Sequence, residues 1–126
     1  MRPKTLVEVA ALTTQGDSFD MCLANFLDEF YIAPNADALS SPPELLQLKL
    51  GDSGQVQDAY LAATAEQLAY TNNLLVPAWT AEESRKLHYP WFASSLAALR
   101  AVLLLESPAA FRSRNLFVSE NALMRA

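Results

Sequence analysis

Residues 17–33 read DSFDMCLANFLDEFYIA, and their pattern decides the fold class. Phe19, Cys22, Leu23, Phe26, Leu27 and Phe30 recur with helical spacing, while Asp20, Asn25, Asp28 and Glu29 fall mainly on the other side. That is the period of an amphipathic α-helix with one face turned to a core. Asp17 or Ser18 stands ready to cap its first turn. Pro34 ends it, because the residue before a proline avoids helical angles.

Working outward, residues 55–72 predict a longer helix with Val56, Ala59, Tyr60, Ala63, Gln67 and Tyr70 in one stripe and Leu61 and Leu68 beside it. Its alanines favour helix intrinsically and let a neighbour approach closely. Asn72 or Asn73 suits the left-handed end position. Upstream, NADALSS reads as a loop, and Ser41-Pro-Pro-Glu44 reads as a capping box opening a helix to about Leu50, with GDSG as a turn. Residues 5–14 (TLVEVAALTT) contain three threonines and two valines, which leaves helix and strand both open. Residues 1–16 are a candidate loosely packed segment.

Downstream, LLVPAW is extended, and Thr80-Ala-Glu-Glu83 is a second capping box that opens a short helix to about Leu87, with a Glu82–Lys86 pair. HYPW makes a corner. A helix over 92–106 should turn Leu96, Leu99, Leu103 and Val102 inward. Ser107-Pro108 starts a further turn or two to about Arg114, Asn115 breaks it, and Ser119 caps a last short helix. The expected architecture is all-α: one compact domain over residues 1–126, with about six helices, several of them short.

Composition agrees with a globular chain. The 126 residues are 52% hydrophobic and 18% charged, and a domain of this length buries roughly two thirds of its unfolded surface. Cys22 is the sole cysteine, so no intramolecular disulfide forms, which fits a reducing cytoplasm. The opening MRPKTLVEVAALTTQGD imitates a secretion signal, but Glu8 interrupts a short apolar part, and none is expected. The AVLLL run at 101–105 is five residues long, whereas a membrane span needs about 20. The expectation is a cytoplasmic protein with no membrane segment.

The net charge of −5 is uneven. Residues 1–84 hold twelve acids and three bases, and residues 85–126 hold two acids and six bases. The acidic part argues against broad nucleic-acid binding, while the basic part suits phosphate or an acidic protein. Mutual attraction of the two parts is the simpler account.

Equipment for catalysis is poor. The Gly51-Asp-Ser-Gly54 tetrapeptide resembles a serine-protease nucleophile loop, but the only histidine, His88, lies downstream of the serine. One histidine and one cysteine do not make a zinc site. Cys22 lies on an apolar helix face, which suits a buried small hydrophobe better than a nucleophile. Asp28 and Glu29, being adjacent, point about 100° apart on a helix. There is no Gly-rich phosphate loop. No metal, cofactor or catalytic residue is expected, and a small enzyme built on Asp28, Glu29 or His88 is the least favoured reading.

Arg100, Arg112, Arg114 and Arg125 are the more interesting set. Their guanidiniums match carboxylate or phosphate through a bidentate fork. They either bond helix carbonyls and the acidic body or contact a partner. Trp79, Tyr89, Trp91, Phe92, Phe111 and Phe117 crowd the same region. They are core in one reading and, with the arginines, interface anchors in the other.

FLDEFY at 26–31, VPAW at 76–79, PWF at 90–92 and ESPAAFRSRNLFVSENALMRA at 106–126 together resemble a family of small bacterial proteins encoded beside nucleotidyltransferase-fold proteins, in a toxin–antitoxin arrangement. The tail is the most specific part. The resemblance implies a non-catalytic, antitoxin-like partner that binds a nucleotidyltransferase-fold toxin and restrains it by occlusion, with Ser107, Pro108, Phe111, Arg112, Arg114 and Asn115 as the family signature. The chain is not itself such an enzyme: Gly54 precedes Gln55, and no Asp-x-Asp occurs. The candidate partner-binding residues are Arg100, Phe111, Arg112, Arg114, Asn115, Phe117 and Arg125. The alternative is a nucleic-acid-binding regulator using the four arginines. Self-association stays open.

Overall fold

The computed structural model describes residues 2–94 and 96–125. Its centre is the long helix α4 (Gln47–Thr71), which buries Asp58, Ala59, Leu61, Ala62, Ala63, Ala65, Leu68 and Ala69. A helix buried on so many sides needs small side chains, and its alanines supply them. Helix α1 (Leu6–Thr14) packs on α4 and on α2 (Phe19–Ile32). The remaining elements are α3 (Asp37–Ser40), two 3₁₀ turns (Ala78–Ala81 and Glu83–Arg85), β1 (Trp91–Phe92), α5 (Ala97–Glu106), α6 (Ala109–Arg112) and β2 (Leu116–Phe117). Apart from one parallel pairing of two-residue strands, Trp91 with Leu116 and Phe92 with Phe117, the fold is helical, as expected.

The N-terminal half follows local rules. Ser18 caps α2, accepting from the Met21 amide, and Cys22, Leu23, Phe26, Leu27 and Phe30 are buried. The helix-or-strand question at 5–14 is settled by a capping box: Thr5 Oγ1 accepts from the Glu8 amide, and the Glu8 carboxylate accepts from the Thr5 amide. The stretch expected to be loose instead buries Leu6, Val9 and Ala10 completely. NADALSS is not all loop, because Asn35 Oδ1 accepts from the Ala38 amide and starts the single turn α3.

The helix expected from Ser41 is absent until Gln47. Pro42 and Pro43 keep the chain non-helical, and Glu44 lies beside Thr14 instead of closing a box. The first amides of α4 are capped by a side chain twelve residues ahead. Buried Asp58 accepts from the Leu46 amide through Oδ1 at 2.7 Å, and from the Gln47 amide and Gln47 Nε2 through Oδ2 at 3.0 Å. The chain kinks at Gly51, whose φ of 63° and ψ of −133° interrupt the helix. A Cβ on Gly54 would collide with the Leu46 carbonyl and the Gln47 nitrogen. GDSG is thus one break at Gly51 followed directly by helix. Asn73 takes the left-handed end position, with φ 56°.

In the C-terminal half the second capping box also fails. Thr80 Oγ1 donates back to the Pro77 carbonyl, and 3₁₀ turns replace the helix. Lys86 pairs with Glu83, and Glu82 pairs with Arg85. Helix α5 begins at Ala97 and not at residue 92, because Trp91 and Phe92 are held in the strand pair by the Trp91 amide to the Asn115 carbonyl and the Ala93 amide to the Phe117 carbonyl. Turns, not a last helix, follow Ser119.

The Asp58 corner is testable. Asp58→Ala leaves two backbone amides without their acceptor, and each such group costs about 1–3 kcal/mol when buried. Urea unfolding should show a loss of about 2–5 kcal/mol, and Gly54→Ala should also lower the midpoint, while Asp52→Ala at the exposed position nearby should leave it nearly unchanged.

Candidate interaction surface

Helix α5 has the sequence AALRAVLLLE, apolar on nearly every side. A helix of that kind is ordinarily buried. Here only Leu103 is buried. Leu105 is 84% exposed, Leu96 at the helix start is 63% exposed, and Leu99, Val102 and Leu104 lie between 43% and 47%. The expectation that Leu96, Leu99 and Val102 turn inward is therefore corrected. Leu103 is the buried side chain of α5, and β2 is the element that the helix rests on. Arg100 also holds the helix down: its guanidinium lies 5.1 Å over the Phe92 ring, and Phe92 stacks on Phe117 with centroids 5.0 Å apart.

The residues marked as partner-binding divide sharply. Phe111 is fully buried, edge-on to Tyr60 at 5.0 Å, and Phe117 is buried in the stack just described. Arg114 is 3% exposed: it donates to the Ala110 and Thr80 carbonyls at 2.6 and 2.8 Å and pairs with Glu66 at 2.8 Å. Asn115 sits at φ 64° and donates from Nδ2 to the Leu87 carbonyl at 2.7 Å. Ser107 Oγ donates to the Val118 carbonyl and accepts from the Val118 amide. These groups brace the fold. Arg125 is exposed but bonded to Asp28 at 2.9 Å. Arg100 and Arg112 are exposed, and among the described residues neither lies within ion-pair distance of a carboxylate.

Arg85, not singled out in the sequence, is a second buried guanidinium. It donates to the Pro43 carbonyl and lies 4.8 Å over the Trp79 ring, and Trp79 Nε1 donates to the Leu39 carbonyl. The exposed Leu104 and Leu105 were also missed. Their signal was present in the AVLLL run, which is too continuous for a one-sided helix.

The hydrogen bond from Arg125, aided by its charge and that of Arg2, holds the Asp28 carboxyl below its usual 3.8. Since the folded-state value is depressed, the pair contributes stability fully above 3.8, and this contribution is lost as pH falls through the lowered value. Burial, then the Asp17 charge, pushes the Cys22 thiol up, which suits an inert core position. Among the described residues no three His, Cys, Asp or Glu side chains gather where they could hold a metal ion, and no helix is long and apolar enough to cross a membrane.

Comparison of the chain with protein-family models, with curated proteins and with solved structures finds no match.

Two predictions separate brace from surface. Arg114→Met should cost about 3–5 kcal/mol in urea unfolding, since it strips Glu66 and two carbonyls of a buried partner, whereas Arg112→Met should stay within about 0.5 kcal/mol of the parent. Asp28→Asn should flatten the acid limb of stability: the parent weakens as pH drops below 3.8 and the variant does so less, as urea midpoints across that range will show.

Proposed function

We propose that this chain is a protein-binding regulator, antitoxin-like, that restrains a nucleotidyltransferase-type partner by covering its working surface. The observation that carries the reading is α5, apolar all round and yet resting on its own body through little more than Leu103. Burying one such leucine or valine stabilises by about 1.5–3 kcal/mol. Ordering costs keep part of that from appearing as affinity, but several such side chains on one short helix still make a strong anchor. Arg100 on α5 and Arg112 on α6 add exposed guanidiniums of the kind that anchor protein interfaces. The partner type rests on the wording of the tail.

The nucleic-acid reading is weakened by the placement of its arginines. Arg114 is buried, Arg125 is held by Asp28 and Arg100 lies over Phe92, which leaves Arg112 of the four, on a chain of net charge −5.

Co-purification from the native host should yield a stoichiometric nucleotidyltransferase-fold protein. Leu105→Glu and Leu104→Glu should leave the unfolding midpoint nearly unmoved and lower partner affinity by about tenfold or more. A stable dimer of this chain through α5, seen by light scattering and broken by the same variants, would assign the face to self-association and sink the proposal. A monomer whose partner binding survives both variants would sink it too.

A further inference from the structure

A second feature lies apart from α5, and none of the residues that line it belongs to that helix. Helix α2, the first turns of α4 after Gly51, and the C-terminal segment enclose a cleft of about 770 Å³. Small-molecule sites span about 300–1,000 Å³, with mostly apolar walls and a few placed polar groups. The walls here come from Leu23, Leu27, Val56, Trp91, Val118 and Met124.

The cleft is pre-formed because its mobile-looking wall, the tail, is pinned along its length. Ser107 holds both backbone groups of Val118, Tyr31 donates its hydroxyl proton to the Leu123 carbonyl at 2.7 Å, and Arg125 is bonded to Asp28. A wall fastened at three points does not need a ligand to assemble it, which removes an ordering cost from binding.

The charged groups of the cleft that lack an ion-pair partner among the described residues are both acidic. Asp20 comes from α2 and Asp52 from the start of α4, both exposed, and neither has an ion-pair partner among the described residues. Arg125 is the cation among the lining residues, and Asp28 already holds it. Tyr60 stays a neutral phenol, its pKa pushed up to about 12 by burial and then by the Asp20 charge. It can therefore hydrogen-bond but cannot balance the carboxylates. Both acids also sit near helix N-termini, where a carboxylate is favoured without any ligand. The apolar cleft between them is what that account leaves unexplained.

We infer that this cleft binds a small organic cation: an apolar body against Leu23, Val56 and Trp91, with an ammonium group at the Asp20 and Asp52 edge. An anion of the same shape meets like charge there, and a neutral isostere gains only the apolar contact. The site is independent of the protein-binding face on α5.

The probes are 2-phenylethylamine, 2-phenylethanol and 3-phenylpropionate, titrated into the full chain by NMR. The amine should bind saturably, shift the Trp91 indole signal and leave that of the buried Trp79 in place. Its affinity should exceed those of the alcohol and the anion by about fivefold, as exposed ion pairs allow. The double variant Asp20→Asn, Asp52→Asn, at exposed positions, should bring the amine down to the alcohol's affinity. No saturable binding of the amine, equal binding of the anion, or an amine affinity untouched by the double variant would each overturn the inference. None of these outcomes bears on partner capture by α5, so the two proposals fail separately.

Discussion

A buried guanidinium must find acceptors, and the packing of the C-terminal half is arranged around that demand at Arg114. It takes a carbonyl from Ala110 one turn back, a carbonyl from Thr80 in the 3₁₀ turn, and a carboxylate from Glu66 on α4. One side chain thus fastens α6, the Trp-rich corner and the central helix. Asn115, next in the chain, adopts a left-handed conformation and donates to the Leu87 carbonyl, which swings Leu116 and Phe117 into register with Trp91 and Phe92. Arg85 does comparable work on the other side of the corner, against Pro43 and Trp79. Removing any of these would leave buried carbonyls or a carboxylate without a donor.

This changes the meaning of the C-terminal wording. The Ser107, Phe111, Arg114 and Asn115 block looks on paper like a contact motif. In the fold it is the brace that positions α5: Ser107 terminates α5 and locks onto Val118, Phe111 enters the core against Tyr60, and Phe117 stacks with Phe92 beneath Arg100. The exposed apolar side chains lie on the neighbouring helix that the brace holds out. The buried brace and the exposed apolar side chains of α5 are thus different residues of one region, so that each can be changed without the other.

Charge separation along the chain also finds a physical use. The basic end meets the acidic body at Arg114–Glu66 and Arg125–Asp28, so part of the imbalance is neutralised internally. Arg2 joins the second site, pairing with Asp28 and Glu29, so both ends of the described chain converge on α2. Asp20 and Asp52 are left outside these networks at the cleft.

The sequence by itself determined what local chemistry controls. The periodicity of 17–33 defined α2 and its buried face, Ser18 capped it, Asn73 ended α4, and the alanines marked α4 as a helix that others approach closely. The capping box of α1, Thr5 with Glu8, is just as local, but the threonines and valines around it left helix and strand both open. Tertiary structure decided everything that depends on partners distant in the chain. Two Thr or Ser capping boxes went unused: Asp58 supplies the cap at Leu46 and Gln47, while strand pairing and buried arginines bend 78–92 away from helix. The inward face assigned to α5 failed for the same reason, since a continuously apolar helix does not specify which side meets the body, and only the position of β2 selects Leu103. Spacing encodes the direction of a side chain on its own helix; what waits in that direction is set by the rest of the chain.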